Sequence, residues 1–265
     1  MLDLINVRKT FNKGTINQRV ALDGIELHLA DGDFVTVIGG NGAGKSTMLN
    51  AVAGVWPVDE GRIILDGEDI TALPGYKRAA HIGRVFQDPM MGTAPNMQLE
   101  ENLALALRRG KRRGLRWGVT RAEREEYREK LHGLGLGLED RMTAKVGLLS
   151  GGQRQALTLL MASLQRPKLL LLDEHTAALD PATAAKVLEL SDKIVAENGL
   201  TAMMITHNMK DAIAHGNRLI MMNEGKIILD ISGEEKKKLT KRDLMDKFAE
   251  VAGMQVESDQ VLLTR

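Results

Sequence analysis

The chain has no cysteine and few aromatic residues, which make up only 3% of its 265 positions. The absence of cysteine excludes disulfide bonds, cysteine-ligated zinc and thiol catalysis. No apolar run approaches the roughly 18 to 20 residues that span a bilayer, and Met1-Leu2-Asp3-Leu4 does not begin a signal peptide. We therefore expect a protein that is soluble or is held at a membrane by a partner.

The charges of the chain nearly balance. Lysine and arginine number 36 against 35 aspartate and glutamate residues, so net charge neither favours nor excludes a nucleic-acid partner. One strongly basic run extends from Arg108 to Arg116 and is followed by Trp117. Contact with nucleic acid or lipid headgroups is one interpretation of this run, and a solvated loop beside an acidic partner surface is the other.

A glycine-rich stretch near the start of the chain carries the first chemical signal. It fits the phosphate-binding pattern of Gly, four residues, then Gly-Lys-Ser/Thr. Its residues are Gly39, Gly40, Asn41, Gly42, Ala43, Gly44, Lys45, Ser46 and Thr47. The run from Phe34 to Ile38 predicts a buried strand before it, and Thr47 to Ala53 predicts a helix after it. Backbone N–H groups of such a loop surround phosphate oxygens, so we expect Lys45 to reach the terminal phosphates and Ser46 to ligate Mg²⁺.

Polar residues follow several other predicted strands. In a parallel sheet the residues just after each strand meet in one crevice, and here these are Gln87, Asp173, Glu174 and His207. Asp173 ends a run of four leucines, where a carboxylate needs a cation, so we expect it to help hold Mg²⁺. Glu174 points toward a water beside the terminal phosphate, which suits a general base. Gln87 is a candidate ligand of Mg²⁺ or water, and His207 could sense or hold the terminal phosphate.

The order of predicted elements indicates an α/β protein. Residues 2–7 and 25–29 alternate between apolar and polar positions, which predicts strands of a half-solvated sheet. Farther along, helical periodicity interrupts the strands of a parallel sheet. We therefore expect one domain over residues 1–240, with a helical subdomain inserted at about 90–165, and a helical tail over 241–265.

Two further features belong with the phosphate loop. The segment from Leu149 to Gln153 precedes a predicted helix and forms a second anion-binding helix start. One bound nucleotide does not need two such helix starts from the same chain. Phe11 lies in a polar turn, where it is either a small satellite of the core or a platform for a base.

Together these motifs resemble the nucleotide-binding subunits of ATP-binding cassette transporters. The segment Leu149-Ser150-Gly151-Gly152-Gln153 resembles the signature motif of that family, and the similarity extends from the Phe11 turn to a hairpin near Asp230. The resemblance implies the α/β fold of P-loop NTPases, with a mixed sheet, a parallel core, an N-terminal antiparallel region and an inserted helical subdomain. It also implies an ATPase that powers transport across a membrane.

The resemblance assigns roles to matching positions. Glu174 corresponds to the catalytic base, His207 to the switch histidine, and Lys45 to the lysine that holds the γ-phosphate. Ser46 and Gln87 correspond to Mg²⁺ contacts, beside Asp173. The implied nucleotide contacts are Phe11 on adenine, then Gly39, Gly40, Asn41, Gly42, Ala43, Gly44, Lys45, Ser46, Thr47 and Gln87, and from a second subunit Ser150, Gly151, Gly152 and Gln153.

The resemblance further implies an assembly at the cytoplasmic face of a membrane. Two copies dimerise head to tail, so that the signature segment of one closes over the ATP held by the other. The dimer drives integral-membrane permease subunits, which contact the segment after Gln87, and no nucleic-acid partner is expected. Met90, Met91 and Met97 in that segment suit either a partner groove or the core.

One position departs from the family pattern. His175 stands between Glu174 and Thr176, where the family usually has proline. Proline there would only stiffen the loop, so the catalytic interpretation of Glu174 is unaffected. His175 could change the mobility of the loop or add a titrating group.

A finer similarity concerns the transported substrate. Residues 174–176, 91–96 and 111–118 are similar to ATPases of bacterial uptake systems for tryptophan or tyrosine-like amino acids, which implies an external substrate-binding protein. Two alternatives stay open: an ATPase serving a separate-subunit exporter or lipid extractor, and a soluble cassette ATPase that acts on nucleic acid or ribosomes.

Overall fold

The computed structural model describes residues 1–111, 114 and 118–252. The strands are β1 (Leu2–Phe11), β2 (Arg19–Leu29), β3 (Phe34–Gly39), β4 (Glu60–Leu65), β5 (Glu68–Asp69), β6 (Ile82–Val85), β7 (Leu169–Asp173), β8 (Thr201–Ile205), β9 (Arg218–Asn223) and β10 (Lys226–Ser232). The helices are α1 (Lys45–Ala53), α2 (Gly75–Arg78), α3 (Leu99–Leu107), α4 (Arg121–His132), α5 (Gly151–Ser163), α6 (Pro181–Asn198), α7 (Met209–Ala214), α8 (Gly233–Lys238) and α9 (Lys241–Ala252). Part of the basic run and the tail beyond Ala252 lie outside the described residues.

The strands form two sheets. A four-stranded antiparallel sheet has the order β2-β1-β4-β5, and a six-stranded sheet has the order β10-β9-β3-β8-β7-β6. In the larger sheet β9, β3, β8, β7 and β6 are parallel, and only β10, joined to β9 by a hairpin, is antiparallel. The carboxyl ends of the parallel strands therefore open on one edge of the sheet, where a ligand crevice is expected.

The central strands β3, β7 and β8 are largely apolar because both faces of the larger sheet are covered. In β7, Leu169 and Leu171 pack into the core cluster that α1 and the antiparallel sheet share, whereas Leu170 and Leu172 pack into a cluster with α5 and α6. This alternation follows from the twofold side-chain period of a strand. The strand is thereby fixed in register, and Asp173 and Glu174 are held at its carboxyl end.

Helices α3, α4 and α5 lie between β6 and β7 in the chain and have a core of their own. Leu103 of α3, Tyr127 and Leu131 of α4 and Leu157 of α5 are fully buried in it. The N-terminal antiparallel sheet, the parallel core and these inserted helices confirm the expected fold class. The boundaries at about 90 and 165 and the domain limit at 240 stay predictions.

None of the described helices combines the length and the apolar character that a bilayer crossing requires.

Candidate functional site

The glycine-rich loop connects β3 to α1 with a backbone that side chains would obstruct. A Cβ atom on Gly39, whose φ is 149°, would lie 2.2 Å from the carbonyl oxygen of Met222. A Cβ atom on Gly44, whose φ is 103°, would lie 2.5 Å from the carbonyl oxygen of Ala21. Gly44 is also the N-cap of α1 and offers no side chain to bond the first N–H groups of the helix. These N–H groups are therefore available to bind an anion, as at other helix N-termini.

Lys45 is buried beneath this loop. Its Nζ donates hydrogen bonds to the carbonyl oxygens of Gly39 at 2.8 Å and Gly40 at 3.1 Å. Burial lowers the pKa of the Lys45 ammonium below its usual value, and the negative charges of Glu174 and Asp173 oppose that shift. The lysine is thus placed at the loop, with two acidic groups close enough to influence its charge.

The loop forms one side of an open cavity of about 250 Å³. Residues predicted from separate parts of the sequence line it together: Phe11, Asn41, Gly42, Ala43, Gly44, Lys45, Ser46, Thr47, Glu174 and His207, joined by Arg19 and Ala21. The size and the surplus of N–H and cationic groups suit the phosphates of a nucleotide. Gln87, Asp173 and Ser150 to Gln153 do not line this cavity.

Glu174 and His207 form a close pair at the wall of the cavity. Glu174 Oε1 lies 2.6 Å from His207 Nε2, with the Glu174 side chain only 12% exposed. The backbone of Glu174 has a φ of 46°, an uncommon conformation for a residue with a side chain, and its N–H donates to the carbonyl oxygen of Ile205. Two neighbouring strand ends therefore bring a carboxylate and an imidazole together beside the phosphate loop.

Asp173 has a protein cation as its partner, which the sequence analysis missed. Arg84 Nη2, on the adjacent strand β6, lies 3.0 Å from Asp173 Oδ2, and both side chains are largely buried. The Arg84 guanidinium also stacks over the ring of Phe86 at 4.6 Å from its centroid. An arginine inside an otherwise apolar strand, next to a strand that ends in an acid, was the available signal for this pair.

A second cavity of about 580 Å³ lies beside this ion pair. Its lining includes Gln87 and Asp173 together with Asn50, Val55, Arg84, Phe86, Asp88, Met91 and Ala178. Of the three residues expected to contact Mg²⁺, Gln87 and Asp173 thus share this cavity, whereas Ser46 lines the first one. Met91 is 68% exposed and Met90 is also exposed, so neither belongs to the core, while Met97 is partly buried.

Phe11 contacts a second aromatic ring and lines the first cavity, and its role as a platform for a base stays a prediction. Its ring packs edge-on against Trp56 with 5.6 Å between centroids, and Lys9 Nζ lies 5.6 Å from the Phe11 centroid. It also lines the cavity of the phosphate loop. No sequence motif indicated Trp56, whose ring is nearly perpendicular to that of Phe11.

The segment from Ser150 to Gln153 forms a capped helix start that lines neither cavity. Ser150 Oγ accepts the N–H of Gln153, and Gln153 Oε1 accepts the N–H of Ser150, so the two residues form a reciprocal capping box. Ser150 and Gly151 are exposed. The same chain therefore presents a phosphate loop with the Glu174–His207 pair at one place and this second helix start at another.

His175 is a buried side chain next to the pair. It is 2% exposed, and its Nε2 lies 2.9 Å from Ser191 Oγ on α6. Burial, with a smaller effect from His215, lowers the pKa of His175 to about 4. The imidazole is therefore neutral near pH 7, which disfavours the interpretation that it titrates there.

The described part of the basic run is tied to its own subdomain. Arg108 Nη2 lies 2.6 Å from Glu123 Oε1 of α4, and burial lowers the pKa of Arg109. Positions 112, 113 and 115–117 lie outside the described residues, so the role of the run stays a prediction.

Comparisons with known proteins agree with this geometry. The family model described as ABC transporter matches residues 22–177. The chain is 45% identical over 248 residues to a tyrosine transport ATP-binding protein of Clostridioides difficile, covering 94% of this chain and 98% of that protein. It is 34% identical to the spermidine/putrescine import ATP-binding protein PotA of Haemophilus influenzae over 89% of this chain, and it spans 59% of the length of that relative.

The fold has solved relatives as well. A dimeric structure of a post-hydrolysis state of the ATP-binding cassette MJ0796, bound to ADP and Pi, superimposes with a TM-score of 0.74. The two share 32% sequence identity, and the match covers 88% of this chain and 98% of that one. The matched family model, the relatives and the site geometry converge, and the chain belongs to the ABC transporter family as an ATP-binding, ATP-hydrolysing subunit.

Proposed function

We propose that Glu174 is the general base of ATP hydrolysis and that Lys45 and His207 assist it. The observation that carries this proposal is the 2.6 Å contact between Glu174 Oε1 and His207 Nε2 at the wall of the cavity lined by the phosphate loop. A carboxylate there is within reach of a water beside the terminal phosphate of a bound nucleotide. The imidazole of His207 holds the carboxylate in place and faces the same phosphate.

The other side chains of the cavity bind the nucleotide. Lys45 leaves the carbonyls of Gly39 and Gly40 and places its charge on the terminal phosphates, while the first N–H groups of α1 bind the remaining phosphate oxygens. Phe11, which packs against Trp56, stacks its ring on adenine.

The metal expected with ATP is Mg²⁺, and the donor set fits it. Ser46, Gln87 and Asp173 supply a hydroxyl, an amide and a carboxylate oxygen, which are hard ligands of the kind Mg²⁺ prefers. No cluster of three or more His, Cys, Asp or Glu side chains forms a metal site in the described chain. Mg²⁺ bound with ATP takes further ligands from the nucleotide and from water. When bound, Mg²⁺ neutralises charge on the phosphates.

The active assembly is a head-to-tail dimer. Ser150 to Gln153 form an anion-binding helix start that lines neither cavity of its own chain, and its first two residues, Ser150 and Gly151, are exposed. In a dimer, this helix start of one copy covers the ATP held by the phosphate loop of the other. The dimeric solved structure of the related cassette MJ0796 supports an assembly of two copies.

The dimer powers a permease from the cytoplasmic face of the membrane, and the transported substrate is tyrosine or a similar amino acid supplied by an external binding protein. The 45% identity to a tyrosine transport ATP-binding protein supports the substrate class. The exposed Met90 and Met91 beside the Gln87 cavity support a contact with the permease.

The base assignment is tested by Glu174→Gln, which keeps the size of the side chain but cannot accept the proton. We expect ATP hydrolysis to fall by about two orders of magnitude or more, while calorimetry shows ATP binding close to that of the natural chain. Lys45→Ala is the contrasting variant and should lose ATP binding. Normal turnover by Glu174→Gln would refute the assignment of Glu174 as the base.

The substrate class is tested by uptake in cells of the source organism that lack the gene. We expect accumulation of labelled tyrosine to be lost and to be restored by the natural chain but not by Glu174→Gln. Labelled lysine is the control and should accumulate normally. Unchanged tyrosine uptake in the deletion strain would contradict the assignment.

A further inference from the structure

The residue after the proposed base is anchored to a helix on the far side of the sheet. His175 follows Glu174 directly, and its Nε2 lies 2.9 Å from Ser191 Oγ in α6. Both side chains are almost fully buried, with His175 2% and Ser191 1% exposed. A polar contact in such surroundings is strongly fixed, because neither partner has water as a substitute.

The direction of this hydrogen bond follows from the second partner of Ser191. The Ser191 hydroxyl donates to the carbonyl oxygen of Val187 at 2.8 Å, one turn earlier in α6. Its only proton is thus used, so Ser191 Oγ accepts and His175 Nε2–H donates. The chain His175, Ser191, Val187 therefore links the end of β7 to the backbone of α6.

The backbone of Glu174 gives this link its importance. Its φ of 46° is a left-handed conformation that a side chain makes unfavourable, so the surrounding structure must hold it. On one side the residue follows the ladder of β7, and its N–H donates to Ile205. On the other side the carbonyl oxygen of Glu174 accepts the N–H of Ala177 at 3.0 Å, and the buried side chain of His175 connects the next residue to α6.

A second contact connects the segment that follows His207 to the same helix, α6. His215, the C-cap residue that follows α7, has its Nδ1 2.6 Å from Oδ2 of Asp192 in α6. Helix α7 begins at Met209, two residues after His207. Consecutive residues of α6, Ser191 and Asp192, thus contact the segments that carry Glu174 and His207.

We propose that His175 is a positioning residue, which holds Glu174 in its left-handed conformation and thereby keeps the carboxylate against His207, through its hydrogen bond to Ser191. This inference rests on the proposed role of Glu174. It predicts that the buried imidazole affects the rate of hydrolysis but not the binding of ATP, because the phosphate loop is untouched.

The test compares His175→Leu, Ser191→Ala and the double variant. We expect each single variant to lower kcat by about tenfold or more, the effect of a small displacement of a catalytic group, with KM and the ATP dissociation constant unchanged. The double variant should be no slower than His175→Leu, because both changes remove one hydrogen bond. His175→Gln, whose amide can still donate to Ser191, should recover most of the rate.

Two further comparisons distinguish a positioning role of His175 from a general loss of structure. His28→Leu alters a surface histidine that pairs with Asp3, and it should leave kcat unchanged. In the Glu174→Gln background, His175→Leu should cause no further loss of hydrolysis. Equal kcat in Ser191→Ala and the natural chain, additive losses in the double variant, or a further loss in the Glu174→Gln background would overturn the proposal.

These variants also distinguish the proposed role of Glu174 as the base from the proposed positioning role of His175. Full activity of Glu174→Gln alone would reject the proposed base, whereas a slow Glu174→Gln with a fully active Ser191→Ala and His175→Leu would reject only the positioning role. If His175→Leu does not fold, the kcat values of Ser191→Ala and His175→Gln still test the positioning role.

Discussion

The contact between His215 and Asp192 makes stability depend on pH. The hydrogen bond to Asp192 raises the pKa of His215, burial opposes this, and the charge of Asp211 adds to it while that of Lys236 counteracts it. His175 also faces His215, and its own pKa is lowered to about 4. Because the pKa of His215 is higher in the folded chain, the pair stabilises fully below pH about 6.5 and loses that effect as the pH rises through the folded value.

We therefore expect His215→Gln to destabilise the protein more at pH 6 than at pH 9. The difference should be about 1 kcal/mol, because Asp192 remains 43% exposed and solvent screens the pair. Urea unfolding of both proteins at the two pH values measures it. Equal destabilisation at pH 6 and pH 9 would show that the charge of His215 does not contribute.

The sequence predicted which functional residues follow the strands, but it did not predict which side chains they contact in the fold. Glu174, His207 and Lys45 were predicted to converge because strand ends of a parallel sheet meet at one edge. The pairs Arg84–Asp173 and His175–Ser191 join residues 89 and 16 positions apart, and packing of β6 on β7 and of α6 on the sheet brings them together. No local pattern contains that information.

The phosphate loop is the element whose shape depends most on glycine. The sequence motif predicted the loop, but only the fold shows which glycines are confined. Gly39 faces the carbonyl oxygen of Met222, whereas a Cβ atom on Gly40 would meet no atom within 4 Å. The two neighbours therefore form a matched pair for substitution.

We expect Gly39→Ala to destabilise the protein by about 2 kcal/mol or more, since both its φ and the close carbonyl oppose a side chain. Gly40→Ala should change stability by less than about 0.5 kcal/mol. Chemical denaturation of the nucleotide-free protein compares them directly. Similar stability of the two variants would contradict the loop conformation described for Gly39.

At the scale of the whole molecule, the residues of the proposed ATP site lie in two separate places on one chain. The phosphate loop, Glu174 and His207 share a cavity, while the helix start at Ser150 is exposed elsewhere on the same chain. The motif order indicated this from the sequence, because one nucleotide does not need two anion-binding helix starts of one chain. The mutual placement of two copies is determined by surfaces that belong to the dimer, and no periodicity in one chain encodes it.

The most direct test is the mass of Glu174→Gln in solution, measured by light scattering during gel filtration with MgATP or MgADP. We predict twice the 29.1 kDa mass of one chain with MgATP and a single-chain mass with MgADP. Adding Ser150→Phe to this variant should preserve ATP binding and abolish the dimer, because the bulky side chain blocks the helix start that closes over ATP. A single-chain mass for Glu174→Gln with saturating MgATP, or a dimer that survives Ser150→Phe, would contradict the shared ATP site.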